Sequence, residues 1–148
     1  MADEIRVAIA VEADIVVARG EGRALAARLG FSRTDATLIA TAISEVGRNI
    51  LVHAGGGEIA LNADTASEGT ALVVVARDRG PGIPDVGRAM SEGYATKNGL
   101  GLGLPGSRRL MDDFAIETEV GRGTTVTMRK WQPRDELERL RETPAAHG

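Results

Sequence analysis

The sequence predicts an α+β fold, a two-layer sandwich in which one mixed, mostly antiparallel sheet carries its helices on one face. Three observations predict it. Strand-like and helix-like stretches follow one another in the order β-α-α-β-β-(loop)-α-β-β. Neighbouring strand stretches are joined by turn-forming residues, as hairpins require. At 148 residues the chain has the size of one domain and can bury a core.

EIRVAIAVE, from Glu4, alternates Ile5, Val7, Ile9 and Val11 with smaller or polar residues, the pattern of a half-buried strand. Asp14 is placed to N-cap the next helix, whose Val16, Val17, Leu25 and Leu29 fit one face and which Gly30 ends. Ser32 opens a second helix in a capping-box pattern, with Asp35 in place of Glu. That helix packs Ile39, Ile43, Val46 and Ile50 toward the core and closes at Gly55, Gly56 and Gly57. EIALNA and TALVVVARD follow as strands about the turn DTASEG. After the loop at Asp78 come a short helix near DVGRAM, the glycine-rich SEGYATKNGLGLGLPG and a helix over SRRLMDD. FAIETEV and GTTVTMRKW then pair about the turn GRG. From Gln132 the chain turns polar, so a domain is expected over residues 1–131 and a partly helical or frayed tail over 132–148.

Composition narrows the function. A formal net charge of −3 supplies no basic field, and aromatics at 3% supply no stacking platform, so nucleic acid is not an expected partner. With no cysteine there can be no disulfide, thiolate metal site or cysteine nucleophile, which fits a reducing cytoplasm. MADEIRVAIA has the features of neither a signal peptide nor a membrane span, so a cytoplasmic protein without membrane contact is expected.

Three segments hold residues suited to chemistry. Glu45 and Asn49 stand four apart in the second helix and so project from one side of it. An amide oxygen is a hard ligand for Mg²⁺, and a carboxylate one turn away can take a proton from an attacking hydroxyl. Alone, the pair also reads as a solvated Glu and a helix-interior Asn. Asp78 ends the apolar run LVVVA on a charge that needs a partner, and an exocyclic amine of adenine would serve. Gly80 and Gly82 would let a base approach the backbone, with Pro81 and Pro84 stiffening the loop. A tight surface turn is the other reading of the same residues. In NGLGLGLPGSRRL, glycines alternating with leucines precede a helix, leaving backbone N–H groups for phosphate. No Gly-Lys-Ser/Thr ends it, so it is not a Walker A loop, and the alternation suits a lid rather than a linker.

Taken in order, Glu45-x-x-x-Asn49, DRGPGIP, GLGLGLPG and GRGTTV resemble the N, G1, G2 and G3 boxes of the GHKL, or Bergerat-fold, ATPases. Within that superfamily the chain resembles the small serine/threonine kinases of bacterial partner-switching, stressosome-type systems, from about Ile5 to Trp131. The resemblance implies Glu45 as general base and Asn49 as Mg²⁺ ligand. It implies Asp78 for adenine, with Gly80 and Gly82 beside it and Thr125 helping at the adenine end. Gly99, Leu100, Gly101, Leu102 and Gly103 would form the phosphate-binding lid over ATP. Arg48 and Lys97 are further candidates to steady phosphate, each equally readable as a solvated cation, and His53 reads as a helix-end residue.

The implied activity is transfer of the ATP γ-phosphate to a serine or threonine of a STAS-domain antagonist or scaffold, RsbS- or RsbR-like. The released kinase would then bind a downstream effector such as a PP2C-type phosphatase. Two alternatives stand beside it: a nucleotide-dependent anti-sigma or sequestering module with little catalysis, and an ATPase acting on water. Retention of Glu45 argues against the first, and a solitary domain with nothing to drive argues against the second. Oligomeric state is left open.

Overall fold

The computed structural model describes residues 4–67, 69–82 and 103–133. They form β1 (Ile5–Ile9), α1 (Glu12–Arg28), α2 (Arg33–Ala54), β2 (Gly57–Ala66), β3 (Gly69–Asp78), α3 (Gly103–Leu110), β4 (Asp113–Glu119) and β5 (Gly123–Pro133). The strands make one sheet in the order β1-β2-β3-β5-β4, and each described pairing is antiparallel.

Alternation along the strands sends Ile9, Ile59, Leu61, Leu72, Val74, Ala76, Val126 and Met128 to one side of the sheet. Ile15, Ala18 and Leu25 of α1 and Ile39, Ile43, Val46 and Ile50 of α2 meet them there, closing the sandwich. Ile39 and Ile43 have no exposed surface, so truncating either to Ala would cost about 2–5 kcal/mol.

The element order expected from sequence is the order observed, with local differences. Helix α1 starts at Glu12 with Val11 as its cap, so Asp14 lies inside the first turn. Its carboxylate reaches back to accept from the Ala10 and Val11 N–H groups at 2.8 and 3.0 Å. These two backbone donors hold the Asp14 carboxyl below its ordinary value. The face of α1 is also rotated from expectation, because Ile15, Ala18, Gly22, Leu25 and Ala26 are buried while Val16 and Val17 are exposed. Ser32 does cap α2, accepting from the Asp35 N–H at 3.1 Å.

The β2–β3 hairpin is tighter than DTASEG implied. Asp64, Thr65 and Ala66 stay in the ladder opposite Ala71, Thr70 and Gly69, where β-branched Thr65 and Thr70 suit a pleated pair. Helix α3 begins earlier than SRRLMDD, at Gly103. Pro105 falls in its first turn, where a missing N–H removes no intrahelical bond. The Lys130 ammonium donates to the Leu110 carbonyl at 3.2 Å and closes the other end. Strand β5 continues to Pro133, past Trp131. The short helix expected near DVGRAM and the tail from residue 134 on lie outside the described residues.

Candidate active site

Helix α2 carries the first group. Core packing of Ile39, Ile43, Val46 and Ile50 fixes its rotation, and Glu45 and Asn49 then fall side by side at the margin of that buried face. Both are buried, at 9% and 7% exposure. Arg48 on the next turn approaches the Glu45 carboxylate at 3.5 Å and Glu12 of α1 at 3.9 Å. It thus has carboxylate partners within the fold. Asn49 Oδ1 is the one buried side-chain polar atom among the described residues with no hydrogen-bond partner. Such an atom costs about 1–3 kcal/mol and calls for an occupant, such as an ion or an ordered water.

The orphaned oxygen fits a hard divalent cation. Among the described residues no cluster of three or more His, Asp or Glu side chains could hold one alone. A cation at Asn49 would therefore draw most of its ligands from phosphate and water, the usual situation for Mg²⁺.

Asp78 ends β3, in register with Gly57 on one neighbour and Thr124 on the other. It shares the parity of Val74 and Ala76, so its carboxylate lies on the helix side of the sheet. Its Oδ1 accepts from the Gly80 N–H at 2.9 Å and the Thr124 N–H at 3.2 Å. Oδ2 has no hydrogen-bond partner among the described residues, which leaves one acceptor in a fixed orientation.

The two loop glycines serve the packing of the protein itself. A Cβ on Gly80 would come within 2.6 Å of the Ala54 Cβ, at the end of the helix that carries Glu45 and Asn49. Gly82 has φ +80°, and a Cβ there would lie 2.6 Å from the Glu119 carbonyl oxygen. The Pro81 carbonyl also accepts from the Gly121 N–H at 2.9 Å. The loop after Asp78 is thereby pinned between the end of α2 and the β4–β5 turn.

Thr125 pairs with Arg77 on the opposite side of the sheet from the Asp78 carboxylate. The residues beside Asp78 are Thr124 and Thr118, whose hydroxyls lie 3.0 Å apart, with Thr118 Oγ1 donating to the Gly123 carbonyl at 3.2 Å. Sequence reasoning missed both. The signal was available, because Thr124 has the parity of core residues Val126 and Met128 and Thr125 does not.

Gly103 begins α3, which packs along α2, so the last glycine of the expected lid is delivered beside the helix bearing Glu45 and Asn49. Lys97, Gly99, Leu100, Gly101 and Leu102 lie outside the described residues. His53 is exposed in the last turn of α2. Among the described residues no helix is long and apolar enough to cross a membrane.

An antiparallel sheet backed by helices, with these residues on its helices and strand ends, defines a class. The model of the histidine kinase-like ATPase domain matches residues 9–130, and the chain belongs to that family. Within it, the chain is 47% identical over 133 residues to the serine/threonine-protein kinase RsbT of Bacillus subtilis (strain 168), covering 88% of this chain and 98% of that protein. It is 30% identical over 112 residues to the anti-sigma F factor of Geobacillus stearothermophilus, with coverage of 72% and 77%. The anti-sigma F factor of Caldanaerobacter subterraneus is 32% identical over 114 residues, with coverage of 73% and 78%.

Proposed function

We propose that this chain is an ATP-dependent serine/threonine protein kinase of a bacterial partner-switching module, with a STAS-domain protein as phosphoacceptor. The observation that carries the reading is the orphaned, buried Oδ1 of Asn49 one helical turn from Glu45. The higher identity to a serine/threonine kinase than to the anti-sigma F factors favours catalysis over sequestration.

In this reading Asp78 accepts from the exocyclic amine of adenine, held on its line by the Gly80 and Thr124 N–H groups. Asn49 Oδ1 holds Mg²⁺, which when bound offsets the charge of the ATP phosphates. Glu45 takes the proton of the acceptor hydroxyl as its oxygen bonds to the γ-phosphorus and the bridging oxygen departs with ADP. Arg48 keeps the Glu45 carboxylate turned toward its own turn of the helix. Gly103 and the glycines before it cover the phosphates, with Lys97 among them. Release of the phosphorylated partner would free the kinase for a downstream effector such as a PP2C-type phosphatase, and all of this belongs in the cytoplasm.

The test mixes the protein with Mg-ATP and a STAS-domain protein encoded beside it, reading intact mass. One added phosphate on a partner serine or threonine, lost with Glu45→Ala, is expected. A tight nucleotide-dependent complex with a sigma factor and no mass gain would move the function to the anti-sigma class.

A further inference from the structure

Beside the Asp78 strand end, on the sheet face away from α1 and α2, lies a cavity of about 570 Å³ lined by Arg6, Glu58, Arg77, Asp78, Arg79 and Thr125. Its charge is uneven. Glu58 alone bridges two guanidiniums, at 3.7 Å to Arg6 and 3.6 Å to Arg77, both beyond hydrogen-bond length. Arg6 has a second carboxylate in Glu4 at 2.6 Å, but among the described residues Arg77 has none besides Glu58. Arg79 has no ionic partner among the described residues. Guanidiniums present planar forks of donors that match carboxylates in pairs, and among the described residues most of those donors have no carboxylate within hydrogen-bond length.

We propose that this cavity is a docking site for an acidic segment of a protein partner, with Arg77 and Arg79 as its anchors. The occupant follows from charge. Three arginines against Glu58 and Asp78 leave a local excess of positive charge. A short acidic segment can cover it within the cavity, whereas an extended nucleic-acid backbone would lay most of its charge over the rest of a chain of net −3. The cavity has the size of a pocket for a few side chains.

The site is also wired to the nucleotide end. Arg79 stands between Asp78 and Gly80, whose N–H holds the Asp78 carboxylate. Arg77 pairs in register with Glu58 and Thr125, on the two strands that flank Asp78. An acidic segment gripping Arg79 would stiffen the loop that orients Asp78. By linkage, nucleotide and segment would then each raise the affinity of the other. This coupling rests on the nucleotide reading of Asp78, whereas docking itself does not.

The test uses a fluorescein-labelled hexaglutamate peptide as probe, followed by anisotropy at low salt with the full chain. Binding is expected to weaken about tenfold in Arg79→Gln, further in Arg77→Gln/Arg79→Gln, and to stay unchanged in Arg33→Gln, an equal loss of charge on the exposed start of α2. Asn49→Ala, outside the cavity, should bind peptide normally even where it has lost nucleotide. Saturating Mg-ATP should tighten peptide binding in the wild type. Absence of binding, an equal loss in Arg33→Gln, or full displacement by millimolar inorganic phosphate would overturn the docking site. Peptide binding that ignores Mg-ATP would overturn the coupling alone.

Discussion

Replacing Asn49 by leucine should stabilise the free protein and destroy its response to nucleotide. Asn49 is 7% exposed and its Oδ1 has no partner, so the folded chain bears an unpaired acceptor in a nearly dry place. That burden is about 1–3 kcal/mol, and leucine keeps the same branched heavy-atom skeleton with no polar atom, its methyl groups being bulkier than the amide atoms. Asn49→Leu is therefore expected to raise the unfolding free energy by about 1–2 kcal/mol, or roughly 2–8 °C in Tm for a chain of this length. The ligand response should move the other way. Wild-type protein at a hundredfold excess over Kd gains about 2.7 kcal/mol from Mg-ATP, and the variant should gain little of it. Thermal and urea unfolding, each with and without Mg-ATP, read both quantities. A variant less stable than wild type without nucleotide, or one with an undiminished Mg-ATP shift, would refute the assignment of Asn49 Oδ1 as an oxygen kept for a cation.

Glu45→Gln should lower phosphate transfer at least about a hundredfold while leaving nucleotide affinity, measured by equilibrium titration, within about twofold. Gly82→Ala should cost about 2 kcal/mol or more by urea unfolding, since φ +80° and the Glu119 carbonyl both oppose a Cβ. Gly20→Ala, in α1 with open space around it, should instead stabilise by about 0.5–1 kcal/mol. The Asp14 carboxyl is held low by the Ala10 and Val11 N–H groups, so its contribution is present above its unfolded value of about 4 and is lost as pH falls through the lower folded value. The urea midpoint of Asp14→Asn should accordingly fall less steeply than that of the wild type below about pH 4.

Much of the fold was legible because the strong signals were local. Ser32 capping α2, the apolar spacing from Ile39 to Ile50 and the β-branched TALVVVA each act within a few residues. The first helix was harder. Ala18, Gly22 and Ala26 are buried in it while Val16 and Val17 are exposed, so hydrophobicity does not mark its inner face. Val16 and Val17 lie outside because Ala18 and Gly22 let α1 approach α2 closely, and that choice is made by the partner helix. Asp14 likewise fitted a cap in the sequence, but with Val11 already extended its carboxylate serves better from one turn inside.

The site followed the same division. Glu45 and Asn49 could be paired from spacing alone, since a helix repeats in a known period. The threonine beside Asp78 could not be chosen by motif, because GTT offers two adjacent candidates on opposite faces. Parity decides between them. Asp78 belongs with Val74 and Ala76, and Thr124 with Val126 and Met128, so strand pairing brings Asp78 and Thr124 together on the helix side. Thr125 then faces the arginine-lined cavity behind. Thr124→Val keeps the N–H that holds Asp78 but deletes the hydroxyl bonded to Thr118. That change should weaken ATP binding several-fold, whereas Thr125→Val should leave it intact and alter only what docks on the rear face. Equal effects of the two substitutions on ATP would show that the strand's alternation does not govern which threonine serves the nucleotide.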